Sequence, residues 1–128
     1  MSEPLDLHTC EYAEKAFEVL GKRWTGLLVD LLLQRPARFN ELAKAVPHLS
    51  KRVLGERLAE LGESGLVERH VDPGPPVAVT YCLTDRGARL RPAIEALKVW
   101  AGAPVDAHGK LVPPPPSKPA PPVRKRSA

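Results

Sequence analysis

The stretch from Phe39 to Tyr81 constrains the fold more than any other part of the chain. Its hydrophobic period and its breaker residues follow one fixed order. Phe39, Leu42, Ala43 and Val46 share one helical face. Pro47 ends that helix, and Pro47-His48-Leu49 makes a short turn. Ser50 caps a longer helix, with Leu54, Leu58 and Leu61 as its apolar seam. Gly65 reads as a left-handed stop, with Leu66 as the hydrophobic residue after it. A strand is expected from Leu66 to Val71 and another from Val77 to Leu83. The turn cluster Asp72-Pro73-Gly74-Pro75-Pro76 separates them. Alternation in the second strand sets Val77, Val79, Tyr81 and Leu83 against Ala78, Thr80 and Cys82.

Helix, short turn, helix and two-stranded ribbon is the order of parts in a winged helix-turn-helix. The expected class is mainly α with a small antiparallel β-wing, and helices at both ends that form a dimer frame. Upstream, Ala13, Ala16, Phe17 and Leu20 mark a first helix, which Gly21 ends as a left-handed cap. Trp24, Leu27, Leu28, Leu31 and Leu32 trace a second, nearly apolar helix, expected to be central and buried. Pro36 stops it, Ala37-Arg38-Phe39 reads as a minor strand, and Asn40 caps the helix that follows. Downstream, Thr84 caps a last helix with the seam Leu90, Ile94, Leu97 and Ala101, bent at Pro92. Residues 1–9 read as a flexible arm, residues 10–102 as a DNA-binding and dimerisation domain, and residues 103–128 as a disordered Pro-rich basic tail. That tail holds eight of the 15 prolines, including the run Pro113 to Pro116, and has polyproline II character.

Charge sharpens the reading. The net charge is +4, yet residues 1–102 carry 14 basic and 14 acidic side chains, so the excess sits in the tail. Locally the balance differs. Arg35, Arg38, Lys44, Lys51, Arg52 and Arg57 face only Glu41 and Glu56 between positions 35 and 57. A local basic patch on a neutral domain suits a duplex-binding face. No apolar run is long enough for a membrane span. The opening MSEPLDLHTCEY lacks the basic-then-apolar order of a secretory signal, so a cytoplasmic protein is expected. Two cysteines there argue against a disulfide framework.

The major groove of B-DNA admits one α-helix. The helix that starts at Ser50 has the required outer face, small and polar, with cations in its first turn. Its N-terminal N–H groups suit a phosphate. Arg52 is the candidate for bidentate contact with guanine O6 and N7, and Lys51 for a phosphate. Gly55 permits close approach, and Glu56 can accept from cytosine N4. Arg57 lies beside the seam, where pairing with a neighbouring carboxylate competes with a DNA contact. Arg38, Asn40, Arg69 and His70 complete the candidate DNA-contacting set. Gly62 interrupts the helix at a cost of about 1 kcal/mol against Ala.

Ordered short elements add a family resemblance. They are Cys10, Leu20-Gly21-Lys22-Arg23-Trp24-Thr25, Arg38-Phe39-Asn40-Glu41-Leu42, Leu49-Ser50-Lys51-Arg52-Val53-Leu54, Arg57-Leu58, Glu60-Leu61, Gly65-Leu66-Val67, Tyr81-Cys82-Leu83-Thr84, Gly87 and Leu97-Lys98-Val99-Trp100. In that order, over about residues 10–101, the chain resembles the HxlR family of bacterial transcriptional regulators, relatives of the MarR-like winged helices. The resemblance implies a homodimeric factor that binds an operator, an inverted repeat in double-stranded DNA, with repression as the default. Three positions depart from the family pattern. Gly55 and Glu56 stand where a hydroxyl residue and Gln are usual, and Ala78 where the wing often carries Arg. The tail lies outside the pattern.

The resemblance also makes Cys10 a candidate sensor for a thiol-reactive or small-molecule effector. Its place before a helix N-terminus lowers a thiol pKa, whereas Glu11 and Glu14 act the other way. Phe17, Leu97 and Trp100 are candidates for the dimer interface. Cys82 reads as a strand residue. His8, His48, His70 and His108 are scattered and, with two distant cysteines, give no metal-ligand spacing, so neither metal nor cofactor is expected. No catalytic constellation or phosphate loop is evident, so no enzyme is expected. The alternative reading is a winged-helix module for protein contacts without specific DNA binding, which the neutral balance of residues 1–102 leaves open.

Overall fold

The computed structural model describes residues 6–112, in two compact units that divide after Ile94. The first contains α1 (Glu11–Leu20), α2 (Thr25–Gln34), β1 (Ala37–Arg38), α3 (Phe39–Ala45), α4 (Lys51–Glu63), β2 (Val67–Asp72), β3 (Ala78–Leu83) and α5 (Asp85–Ala88). A sixth helix, α6 (Arg91–Trp100), begins in the first unit and continues into the second. Helices and a small antiparallel sheet in this order are a winged helix-turn-helix.

Leu28 and Val29 of α2, Leu42 of α3, and Leu54, Leu58 and Leu61 of α4 form the core. Leu49, Leu66, Val67 and Ile94 close it. Truncating one such leucine to alanine costs roughly 2–5 kcal/mol. The inner seam therefore fixes α4, and its outer face is released from packing. α2 is one-sided rather than buried all round. Leu28, Val29 and Leu32 face inward, while Leu27 is 52% exposed. The helix starts at Thr25, and Trp24 stands before it in a left-handed conformation, φ 80°. Gly21 is right-handed, φ −75°, so α1 ends without the expected left-handed cap.

The sheet order is β1-β3-β2, all antiparallel. β2 pairs with β3 from Val67↔Leu83 to Asp72↔Ala78, and β1 adds Ala37↔Tyr81 and Arg38↔Thr80. The central place of β3 leaves all six of its residues half-buried, so alternation gives no sharp contrast there. One junction pins the ribbon base. The Thr84 N–H donates to Leu66 O at 3.0 Å, and its hydroxyl donates to Gly65 O at 2.6 Å. Arg86 donates to Ser64 O. Gly65 has φ 74°, which glycine adopts without penalty. At Gly87 a Cβ would fall 2.2 Å from Leu66 O, so only glycine fits.

Thr84 does cap a helix, accepting from the Gly87 N–H at 3.1 Å, but that helix is the short α5. The expected single bent helix is two helices, broken at Arg89-Leu90. Pro92 sits in the first turn of α6. A proline there lacks only an N–H that would be unpaired anyway, whereas in mid-helix its ring would strike the carbonyl four residues back.

In the second unit, Glu95–Trp100 completes α6, and Val105 and Leu111 form an isolated bridge. Asp106 Oδ1 accepts from the backbone N–H of His108 at 2.8 Å and of Lys110 at 3.0 Å. Residues 103–112 thus hold a local turn where a patternless tail was expected. The rest of that expected tail, 113–128, and residues 1–5 of the expected arm lie outside the described residues.

Candidate DNA-binding interface

The helix-turn-helix is built by short-range contacts. The Val46 N–H donates to Leu42 O at 3.2 Å and the Leu49 N–H to Val46 O at 3.0 Å. Buried Leu49 anchors the turn. Ser50 Oγ accepts from the Val53 N–H at 3.2 Å, as its cap role requires. α4 then runs unbroken through Gly55 and Gly62. Lys51, Arg52 and Glu56 are exposed and Gly55 is half-buried. Among the described residues Lys51 and Arg52 have no side-chain partner, so both cations are unspent at the positive end of a helix.

Other predicted residues are engaged elsewhere. Arg57 donates to both Glu60 oxygens at 3.2 and 3.3 Å and to Arg23 O at 3.4 Å, with only 22% of its side chain exposed. Position 57 flanks the buried seam, and of its two expected roles the pairing with a neighbouring carboxylate is the one seen in the structure. Asn40 is exposed but is not the α3 cap. That position is Arg38, whose backbone N–H donates to Glu41 Oε1 at 3.0 Å. Arg35 grips the other Glu41 oxygen. The Arg35 guanidinium, then the Arg38 N–H, hold the Glu41 carboxyl down at about 2. Arg35 and Glu41 therefore cancel, and Glu56 is an exposed acid on α4, four residues after Arg52.

The ribbon has two faces, because strand side chains alternate. Arg69 lines a groove of about 270 Å³ with Gly55, Ala59, Gly62 and Tyr81, between α4 and the ribbon. It is thus beside α4. His70 projects from the opposite face and lies 3.1 Å from Glu68 Oε2. Arg38, paired with Thr80 in the register, shares that second face. The structure therefore gathers Ser50, Lys51, Arg52, Gly55, Glu56 and Arg69 around α4, and sets Arg38 and His70 apart. At the ribbon tip, Asp72 Oδ1 accepts from the Gly74 N–H at 3.1 Å.

Cys10 is exposed and occupies the N-cap of α1. The backbone N–H groups of Ala13 and then Tyr12 favour its thiolate and lower its pKa. The opposing carboxylates are occupied, Glu14 by the Thr9 hydroxyl at 2.9 Å and Glu11 by Lys15 at 3.0 Å. Cys82 behaves oppositely. Burial, then Glu68, push its thiol up. Although the histidines and cysteines are scattered in the sequence, the fold brings one of each together: ligand atoms of Glu68, His70 and Cys82 all lie within 4.8 Å of one another. Only the ribbon register could have revealed this, by pairing Glu68 with Cys82.

Of the expected dimer residues, Phe17 is 72% exposed on α1, a helix with no buried residue. In the second unit Leu97 and Trp100 are exposed at 52% and 86%. No helix among the described residues is long and apolar enough to cross a membrane.

The model of the HxlR-like helix-turn-helix matches residues 19–108. The chain is 42% identical to the HTH-type transcriptional regulator YodB of Bacillus subtilis (strain 168) over 92 residues, 72% of this chain and 82% of YodB. It is 47% identical over 92 residues to the uncharacterized HTH-type transcriptional regulator YvaP of the same organism, 72% of this chain and 85% of YvaP. The reduced form of YodB superposes with a TM-score of 0.67 at 41% identity, covering 73% of this chain and 92% of that one. YodB has also been solved diamide-treated and quinone-bound. The oxidized form of the redox regulator HypR superposes with a TM-score of 0.69 at 33% identity, covering 74% and 98%. On these matches the chain belongs to the HxlR-like helix-turn-helix family and is a DNA-binding transcriptional regulator.

Proposed function

We propose that the protein is a cytoplasmic homodimeric repressor. It reads an inverted-repeat operator through α4 and releases it when Cys10 reacts with an oxidant or electrophile. The observation that carries the DNA reading is the pair of unspent cations, Lys51 and Arg52, on the first turn of a helix capped by Ser50. In this reading Arg52 meets a base edge, Lys51 and Arg69 meet phosphate, Gly55 admits close approach and Glu56 accepts from cytosine. Arg38, Asn40 and His70 serve as flanking backbone contacts. Half-sites one helical turn apart, about 34 Å, call for a dimer. The exposed Phe17, Leu97 and Trp100 supply apolar surface for one.

The sensing reading rests on the exposed, thiolate-favoured Cys10 and on relatives solved in diamide-treated, quinone-bound and oxidized forms. The chemistry is addition of the Cys10 thiolate to a quinone carbon, with the proton returning to the reduced ring. Footprinting upstream of the protein's own gene should reveal a protected inverted repeat. Arg52→Ala should abolish that protection. A quinone should weaken binding by the wild type and leave Cys10→Ser unaffected. A Cys10→Ser variant that still responds refutes the sensor. Absence of any protected fragment favours the protein-contact module, which the neutral balance of residues 1–102 leaves open.

A further inference from the structure

On the outer face of the ribbon three different donor atoms converge. Glu68 and His70 are two residues apart on β2 and therefore share a face, and Cys82 is the direct partner of Glu68 on β3. One carboxylate oxygen, one imidazole nitrogen and the thiol sulfur all lie within 4.8 Å of one another. The His70 Nε2 to Glu68 Oε2 distance is already 3.1 Å. Zinc bonds of about 2.0–2.3 Å at tetrahedral angles place ligand atoms roughly 3.3–3.6 Å apart. Closing from the observed spread requires movements of only about 1.5 Å, within side-chain rotation. Glu68 and His70 are exposed, so an ion can enter, while Cys82 is half-buried at the back.

We propose that Glu68, His70 and Cys82 form a three-ligand site for a thiophilic divalent cation, with Zn²⁺ as the type ion and water in the fourth position. Sulfur with imidazole selects such ions over Mg²⁺ or Ca²⁺, which take oxygen ligands. On binding, the Cys82 S–H proton leaves to solvent as the sulfur–metal bond forms. The Glu68 carboxylate and the His70 lone pair donate without further proton loss. The local charge rises from −1, that of Glu68, to zero. The ion ties β2 to β3 next to the base pair Val67↔Leu83. This site is separate from Cys10 and from the α4 face.

The test uses the untagged 128-residue chain carrying Cys10→Ser, in which Cys82 is the one remaining cysteine. Titration with Co²⁺ should give a thiolate-to-cobalt charge-transfer band at one equivalent per chain, bleached by Zn²⁺. Adding Cys82→Ser should remove the band. His70→Ala and Glu68→Gln, both at exposed positions, should each weaken binding beyond the roughly 10–100-fold that loss of an outer-shell partner costs. Circular dichroism should stay unchanged. No band, or a band indifferent to His70→Ala, overturns the site.

Discussion

The salt dependence of operator binding offers a direct count of the cations that α4 and its surroundings bring to DNA. From position 35 to 69 the chain has seven basic residues. Arg35 is spent on Glu41, and Arg57 on Glu60 and the Arg23 carbonyl. Five remain per chain, namely Arg38, Lys44, Lys51, Arg52 and Arg69, hence ten in a dimer. Each neutralised phosphate contributes about −0.9 to the slope of log K against log salt, so the ceiling is about −9. Lys51→Ala removes two contacts per dimer and should flatten the slope by about 1.8. Over a fourfold rise in salt, the variant should lose about twelve-fold less affinity than the wild type does. Arg57→Ala should leave the slope unchanged, although it loosens α4. Fluorescence anisotropy on a labelled operator, at salt concentrations spanning fourfold, measures both. If Arg57→Ala flattens the slope as much as Lys51→Ala, the assignment of Arg57 to the framework is refuted.

Two further outcomes test the frame. Gly87→Ala places a Cβ about where Leu66 O now lies, and overpacking against fixed backbone costs about 1–3 kcal/mol or more. Thermal melting should show a drop of several degrees, and an unchanged melting point would contradict the close approach. Glu41, held at about 2 against an ordinary value near 4.5, contributes stability that is complete above pH 4.5 and lost as pH falls toward 2. Both partners are well exposed, so screening keeps the contribution small. Arg35→Gln should therefore be slightly less stable than the wild type at pH 6 and equal to it at pH 2. A gap that persists at pH 2 contradicts the ion pair.

Local features of this fold were legible in the sequence. The seam Leu54, Leu58 and Leu61, the Ser50 cap and the Gly65 stop each depend on neighbours within one or two helical turns, and each has its expected place. What escaped the sequence depends on distant partners or on competition between neighbours. Asn40 lost the α3 cap because the backbone of Arg38 finds Glu41. Thr84 caps only four residues because Pro92 demands a helix start of its own. Leu27 is exposed because α2 meets the core along one side. Arg57 pairs with a neighbouring carboxylate, Glu60, as one of its two expected roles has it, but its second contact, the Arg23 carbonyl 34 residues away, lies beyond any local pattern. The cluster of Glu68, His70 and Cys82 needed the register of the ribbon, which the tip Asp72–Pro76 does not determine from sequence.

The junction of Gly65, Leu66, Thr84 and Gly87 has a consequence for how such a regulator changes over time. Both roots of the ribbon are fixed there, while residues 73–77 at its tip are exposed and outside the core. Exposed loop tips tolerate insertion, and residues added in cross-strand pairs keep every side chain on its own face. The wing can therefore lengthen or shorten without re-aiming α4. Reach along the duplex and choice of bases become two independently adjustable properties of one small domain.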